Sequence, residues 1–450
     1  MEQSGYYNFE NAYIEGRFYE VIKIIESTGD QDYQNFFYYY ISSAIELGLL
    51  DKADQLLLEL EPVRIDSGYM LTFKFLRGKY YNSLEQYQLA INELNYAYKY
   101  CKKDLQQFFY IEIVVQLGYA YRGINDYNKA IELTLVLIPL INKYTNVGLI
   151  AQIYLLLGIL YLETNIISDG INFLKKALKF FEEINHSFGK ALIFFHLSSS
   201  YNQQQQTQKA IYFGERALTI FQHVNNRFYI ALSSINLAEI NFALNKSQEA
   251  IQLLQSAQNV AEKIGYPYYY ALALNKMSDV YKNLRKYRKA INYIQKALTV
   301  LEIQDNQYLI AVTLFKFGII LNLQKKYDDS LEIFRRSLNH FEQLHDLDFI
   351  SKILIKIGET KIQQKKYSEA LQIFTDLLAT ITFSKDPCMY CSILFYISWM
   401  KHKINILDLK FSLESDCLHR SLPNFSKKCQ FSGSIIRGIY YFHQNELDQA

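Results

Sequence analysis

The stretch Leu274–Leu301, LNKMSDVYKNLRKYRKAINYIQKALTVL, decides the fold of this chain. Its apolar residues recur at intervals of three and four, which is the spacing of one face of an α-helix. The stretch also holds small residues at Ser278, Ala290 and Ala297. Because small side chains let two helix backbones approach closely, this spacing predicts two helices packed against each other.

Small residues recur at the same three positions every 40 residues. The first column is Gly78, Gly118, Gly158, Ser198, Ala238, Ser278, Gly318, Gly358, Ser398 and Gly438. The second is Ala90, Ala130, Gly170, Ala210, Ala250, Ala290, Ser330, Ala370 and Ala450, with Lys410 as the departure. The third is Ala97, Ala177, Ala217, Ala257, Ala297, Ser337 and Cys417, with Leu137 and Leu377 as larger members. Since one helical hairpin cannot bury both faces of its apolar stripe, this period predicts a stack of hairpins with a continuous core.

Polar residues mark the turns of this stack. Pairs such as Asn225-Asn226 and Asp305-Asn306 predict the turns between units, and breaks near Asn125-Asp126 and Gln324-Lys325 predict the turn inside each unit. Each unit is then a helix, a short turn and a second helix, with about four helical turns in each helix.

The composition agrees with an all-α fold and narrows the choice of partners. The chain has 450 residues with 5 Pro and 18 Gly, so residues that break helices are rare. A formal charge of +2 indicates neither a nucleic acid nor a membrane as partner. The N-terminal residues show no signal peptide, and five cysteines do not form a disulfide framework, so a cytoplasmic location is expected.

The chain resembles the tetratricopeptide repeat family from about residue 71 onward. Leu274, Met277, Tyr281, Tyr287 and Ile294 stand with the three small residues at the family's signature spacing. The common unit has about 34 residues, whereas this one is similar to the longer-helix variant of 40. The resemblance implies an all-α, right-handed superhelical solenoid of antiparallel helix pairs, with the first helix of each pair on the concave face.

Three regions are expected from the regularity of the repeat. Residues 1–70 should form irregular helical hairpins, either degenerate repeats or a cap, and residues 71–383 the regular array. Residues 384–450 should form a degenerate repeat and a truncated final one, because Ser434–Ala450 supplies only a first helix and a turn. We therefore expect the sequence to be a segment of a longer protein.

The candidate ligand site follows from the resemblance, which implies that two positions in each unit point to the concave face. These are Val115 and Tyr119, Leu155 and Ile159, Phe195 and Ser199, Ile235 and Glu239, Asn275 and Asp279, Phe315 and Ile319, Ile355 and Glu359, and Phe395 and Trp399. In the polar middle of the array we expect Asn236, Glu239, Asn275, Lys276 and Asp279 to form a ligand-binding patch. Asparagine amides can pair with a peptide backbone, and an acidic pair favours a basic ligand. A hydrated surface without a ligand is the alternative.

Motifs for catalysis and cofactor binding are absent from the sequence. It has no Gly-rich phosphate loop, no G-x-S-x-G and no H-E-x-x-H, so neither an enzyme nor a cofactor is expected. Cys388, Cys391, Cys417 and Cys429 leave a zinc site as an alternative to ordinary thiols, and we expect no metal.

Two hypotheses for function remain. The first is a scaffold that binds a protein or peptide on the concave face of the solenoid. The second is a sensory, regulatory module of a longer signalling or transcription-regulating protein, in which a ligand changes the superhelix and controls an attached effector. The fold alone does not choose between them. The sequence leaves the partner's identity and the oligomeric state open.

Overall fold

The computed structural model describes residues 12–13, 15–27, 33–60, 67–101, 107–143, 146–263, 265–380 and 387–404. Within these ranges the chain forms α-helices, one 3-10 helix and no strand, which confirms the predicted all-α class. No helix in the described ranges combines the length and the apolar character that crossing a membrane requires.

The helices fall into a less regular N-terminal group and a regular array. The first group is α1 (Phe18–Ser27), α2 (Tyr33–Glu46), α3 (Leu50–Leu60), α4 (Ser67–Ser83), α5 (Tyr87–Tyr100), α6 (Gln107–Gly123) and α7 (Tyr127–Leu135). The array is α8 (Val147–Glu163), α9 (Ile167–Glu183), α10 (Ser187–Gln203), α11 (Thr207–His223), α12 (Arg227–Ala243), α13 (Ser247–Lys263), α14 (Pro267–Asn283), α15 (Tyr287–Ile303), α16 (Gln307–Leu323), α17 (Tyr327–Gln343), α18 (Leu347–Gln363), α19 (Tyr367–Thr380) and α20 (Pro387–Lys403). First helices of successive repeats begin 40 residues apart, at Val147, Ser187 and Arg227 for example, so the predicted period is confirmed.

The turn inside each repeat ends one helix and starts the next within three residues. Asn125 adopts φ 61°, and its N–H bonds the carbonyl of Arg122 at 3.0 Å. The N–H of Asp126 bonds the carbonyl of Tyr121 at 2.9 Å, which completes a Schellman motif. The Asp126 side chain then caps the next helix by accepting from the N–H of Lys129 at 3.1 Å. The predicted break at Asn125-Asp126 is thus a turn that leaves few helix-end groups unpaired.

The small residues lie where the two helices of a repeat touch. Ser330 donates its hydroxyl to the carbonyl of Gly318 at 2.8 Å, so the first and second columns meet. A Cβ added to Gly318 would lie 2.5 Å from the Phe334 ring. Ala297, in the third column, is fully buried. The predicted role of the small residues in close helix packing is confirmed.

The repeat that begins with α6 departs from the others. Its second helix, α7, has 9 residues and is followed by the 3-10 helix Ile138–Lys143. Leu137 stands where the third column usually has a small residue, and Pro139 has no N–H for a helical hydrogen bond. These two residues account for a helix shorter than the period predicts.

The first three helices are 10, 14 and 11 residues long. Phe18, Val21 and Ile25 are buried in α1, and Ala53 and Leu57 are buried in α3. Consecutive helices of this group pack against each other. The buried apolar side chains of α1–α5 belong to the same cluster as side chains of α8, α9, α10 and α11.

The chain divides into two compact units, unit 1 with residues 1–276 and unit 2 with residues 277–450. The division falls within α14. The expected regions 1–70, 71–383 and 384–450 rest on repeat regularity, a different criterion, and stay predictions. Residues 405–450, which include the expected truncated repeat, lie outside the described residues.

Candidate functional site

The predicted ligand-facing positions lie on the first helices of the repeats, α6, α8, α10, α12, α14, α16, α18 and α20. We call these positions, with the equivalent Phe75 and Lys79 on α4, the first-helix face. In unit 1 the face is largely covered: Val115 exposes 1% and Leu155 exposes 2% of its surface. In unit 2, the equivalent Phe315 and Ile355 are half-buried and therefore reachable by solvent.

Four residues of the predicted patch belong to unit 1, and their side chains already contact protein. Asn236 donates from its Nδ2 to the hydroxyl of Ser198 at 3.2 Å, and Glu239 forms an ion pair with Lys276. Asn275 is 2% exposed, so this conformation does not offer its amide to a ligand. That these four residues bind a ligand stays a prediction.

The fifth patch residue, Asp279, belongs to unit 2 and lies between two lysines. Its carboxylate oxygens are 2.7 Å from Nζ of Lys316 and 3.1 Å from Nζ of Lys282. Burial alone would raise the pKa of Asp279, but the two ammonium groups and their hydrogen bonds bring it below its usual value. Asp279 is therefore ionised and its charge is neutralised locally, which weakens its attraction for a basic ligand.

A polar link joins consecutive first helices at one repeated position. The residue after the first small column is an acid in three repeats, and its partner stands 37 residues later. The pairs are Glu239–Lys276, Asp279–Lys316 and Glu359–Tyr396, the last with an Oε1–Oη distance of 2.7 Å. Sequence reasoning identified two of these acids as ligand contacts and missed the pairing. The recurrence of an acid followed by Lys or Tyr at 37 residues was the available signal.

Unit 1 contains a buried polar cluster where α2 crosses α4 and α6. The hydroxyl of Tyr38 lies 2.8 and 2.7 Å from the two carboxylate oxygens of Glu112, and Nζ of Lys79 lies 2.7 Å from Oε1 of Glu46. Desolvation raises the pKa of Glu112 to about 7, although Tyr38 and Lys79 act in the opposite direction. Sequence reasoning missed this cluster. A single Glu inside the apolar run IEIVV of α6 was its signal.

Two stretches of the chain, residues 229–303 and 309–381, match the family model described as tetratricopeptide repeat. Within these two stretches the repeats are of the tetratricopeptide type. No curated protein sequence matches the chain significantly.

Two solved structures show a similar backbone. A signal-transduction ATPase from Pyrococcus horikoshii with a tetratricopeptide repeat sensor has a TM-score of 0.55 and 14% identity, covering 96% of this chain and 73% of that chain. Aspartyl phosphate phosphatase F from Bacillus subtilis has a TM-score of 0.50 and 17% identity, covering 80% of this chain and 96% of that chain. At these identities the likeness shows the fold.

The described part of the chain shows no cluster of side chains suited to a metal ion. No group of three or more His, Cys, Asp and Glu side chains there is arranged to hold an ion. The zinc alternative rests on cysteines that lie elsewhere: Cys417 and Cys429 fall outside the described residues, and the side chains of Cys388 and Cys391 are not described.

Proposed function

We propose that this chain is an interaction module that binds a peptide or helix of a partner protein on the first-helix face of unit 2, and that it catalyses no reaction itself. A tetratricopeptide-repeat fold is compatible with interaction and with sensing. The observation that supports binding in unit 2 is the half-buried apolar surface of Phe315, Ile319 and Ile355.

The chemistry of this surface favours an amphipathic partner. Phe315 packs edge-on against Phe349 with ring centroids 6.2 Å apart, which holds it in place as a rigid apolar contact. Lysines stand beside the apolar residues: Lys316 pairs with Asp279, and Lys356 pairs with Glu359 at 2.6 Å. Apolar side chains of a partner would gain from burial here, and charges at its edges would select its register.

The residues of the predicted patch have separate roles in the two units under this proposal. In unit 2, Asp279 would set the partner's register through Lys316 rather than attract a basic ligand by itself. In unit 1, Glu239 would do the same through Lys276, and Asn236 would have to leave Ser198 to reach a ligand.

A sensory role is the second candidate. The N-terminal helices of unit 1 pack on its first-helix face through Tyr38 and Glu112. A segment that occupies such a face can be displaced by a ligand, and displacement is a way to pass a signal to an attached effector.

A peptide display library selected against the full chain tests binding in unit 2. We expect selected peptides to lose about tenfold or more in affinity with Ile319→Lys, because the substitution places a charge in the apolar contact. The matched control is Ile303→Lys, since Ile303 is 83% exposed and lies on the second helix α15. We expect that variant to bind with less than about twofold change.

The proposal is wrong if no peptide binds the full chain, or if both variants weaken binding equally. Fluorescence anisotropy with a labelled selected peptide gives the affinities. Circular dichroism of both variants shows whether each remains helical.

A further inference from the structure

The N-terminal segment of unit 1 reaches repeats that are far away in the sequence. The carbonyl of Glu15 accepts from the N–H of Ser187, at the start of α10, at 3.1 Å. The carbonyl of Glu46, at the end of α2, accepts from Nδ2 of Asn226 at 2.5 Å. The second contact joins residues 180 positions apart. The segment therefore contacts the turns before α10 and α12 through its own backbone carbonyls.

An aromatic residue fixes the first of these contacts. The ring centroid of Phe18 lies 5.4 Å from that of Phe188 and 6.2 Å from that of His186, and Phe18 is 6% exposed. Gly16, at φ 70°, faces the same imidazole, and a Cβ there would lie 2.7 Å from it. The sequence Gly16-Arg17-Phe18 thus fits closely against the turn that precedes α10.

His186 provides a neutral surface for this contact. Its Nδ1 accepts from the N–H of Gly189 at 2.7 Å and so caps α10. Its ring packs on Phe181 with centroids 4.8 Å apart. Burial lowers the pKa of His186 to about 4, so the ring is uncharged near neutral pH.

A second set of contacts covers the first helices α4 and α6. Tyr38 of α2 reaches Glu112 of α6, and Glu46 of α2 reaches Lys79 of α4. Both Glu112 and Lys79 are 8% exposed, so α2 removes two ionisable groups from water. Replacing a buried ionic group by an apolar one is often neutral or stabilising. If the packing of α2 on α6 served only stability, an apolar residue in place of Glu112 would make it more stable.

These contacts have the form of ligand recognition. An asparagine amide donates to a backbone carbonyl, an aromatic side chain packs against two aromatic rings, and a buried acid accepts from a tyrosine. Extending the proposed peptide binding to unit 1, we propose that residues 15–27 and 33–48 are an intramolecular pseudo-ligand and that the surface of His186, Phe188, Asn226 and Glu112 binds a partner's pair of helices of the same chemistry. That partner carries an aromatic residue two positions after a glycine turn and a backbone carbonyl at the end of a helix.

A synthetic peptide of residues 12–48, labelled with a fluorophore, is the probe for this surface. In the wild-type chain the N-terminal segment occupies the surface. The probe can bind only those molecules in which the surface is open, so its apparent affinity is the intrinsic affinity multiplied by the open fraction. The full-length variant Gly16→Ala plus Phe18→Ala should open it, because the alanine Cβ meets His186 and the aromatic contact is lost. We expect the variant to bind the probe about tenfold or more tightly than the wild type.

Asn226→Ala identifies the recognising residue. Added to the opened variant, it should weaken probe binding by about fivefold or more, since it removes the donor to the carbonyl of Glu46. Asn306→Ala is the matched control, because Asn306 occupies the same position two repeats later and caps α16 in the same way. We expect no change with that variant.

Hydrogen exchange of the Ser187 amide reports whether the cover has left. If the amide exchanges freely and the probe binds no better than to the wild type, the proposal is overturned. If the double variant unfolds unit 1, Phe18→Leu is the milder opening variant. The proposal is also overturned if the N-terminal segment stays bound in both variants while unit 1 remains folded. The outcome is independent of the peptides selected for unit 2, whose binding depends on Ile319.

Discussion

Asn226 and Asn306 occupy the same position in two repeats, one in unit 1 and one in unit 2. Each caps the following helix by accepting from a backbone N–H at 3.0 Å. Asn226 is fully buried and also donates to the N-terminal segment, whereas Asn306 is half-buried. Two residues further on, Phe228 is half-buried, and the equivalent Tyr308 is 46% exposed.

The difference shows what the repeat determines and what it does not. The 40-residue period sets the caps, the turns and the direction of the first helices in both units. What those helices contact depends on residues outside the period, here Glu15, Phe18 and Glu46. One architecture therefore offers a covered face in unit 1 and a partly open one in unit 2.

The largest effect that we expect is a dependence of the stability of unit 1 on pH. In the folded state burial raises the pKa of Glu112 to about 7, against 4.5 ordinarily. The folded state then holds more protons than the unfolded state between these values, so Glu112 makes unit 1 less stable as pH rises through this window. In Glu112→Gln this dependence is absent. The variant should gain about 2–3 kcal/mol over the wild type between pH 4.5 and 7.5.

Urea unfolding followed by circular dichroism at several pH values measures this gain. His186 and His196, whose pKa values burial lowers to about 4 and about 3, titrate equally in both proteins and cancel in the difference. The control is Glu132→Gln, because the Glu132 side chain is 69% exposed. Parallel stability profiles for Glu112→Gln and the wild type would contradict the burial of this carboxyl.

The two units should pack their repeats alike although their first-helix faces differ. Ala217 in unit 1 and Ala297 in unit 2 stand in the third small column and are fully buried. A leucine at either position overpacks the contact, and we expect each substitution to cost about 1–3 kcal/mol of unfolding free energy. Thermal and urea unfolding give the values, with the exposed Lys296→Leu as control. An unchanged stability in either variant would show that its column is not a close contact.

The smallest expected effect lies in the turns. Asn245 in unit 1 and Lys325 in unit 2 adopt the left-handed conformation, with φ 62° and 63°. Asparagine tolerates this region better than lysine, and glycine has no side-chain penalty there. Lys325→Gly should therefore raise the unfolding free energy by about 0.5–1 kcal/mol, and Asn245→Gly should raise it by less.

Lys326→Gly is the matched control for this pair of variants. Lys326 directly precedes α17 and has an ordinary φ of −85°. A glycine there should not stabilise the protein, because it only adds freedom to the unfolded chain. Equal gains at Lys325 and Lys326 would remove the conformational explanation.

The periodic part of the structure was accessible from the sequence, because close packing restricts size at fixed positions. Ser278, Ala290 and Ala297 predicted both helices of a repeat, and Asn125-Asp126 predicted a turn. The docking of the N-terminal segment was not accessible. Gly16, Phe18 and Glu46 belong to no period, and contacts across some 170–180 residues of chain leave no local pattern.

The sequence could predict on which helices the residues of the candidate patch lie, but not whether their side chains are buried or paired. Sequence reasoning placed Asn275 and Asp279 correctly on a first helix, since the period fixes the face. The burial of Asn275 and the pairing of Asp279 with Lys316 depend on what lies against that face. The spacing of residues along a helix indicates which face each residue lies on, but not which side chains of a neighbouring helix pack against it.

The acid-to-partner link between first helices has a consequence for how such an array can change length. Because Glu239, Asp279 and Glu359 each meet a residue 37 positions later, the link belongs to the 40-residue module itself. Tandem duplication of residues 267–306 would set a copied Lys276 37 positions after Asp279 and leave the next Lys316 for the copied Asp279. The genetic event that lengthens this array by one module would thus create a junction that is already electrostatically matched.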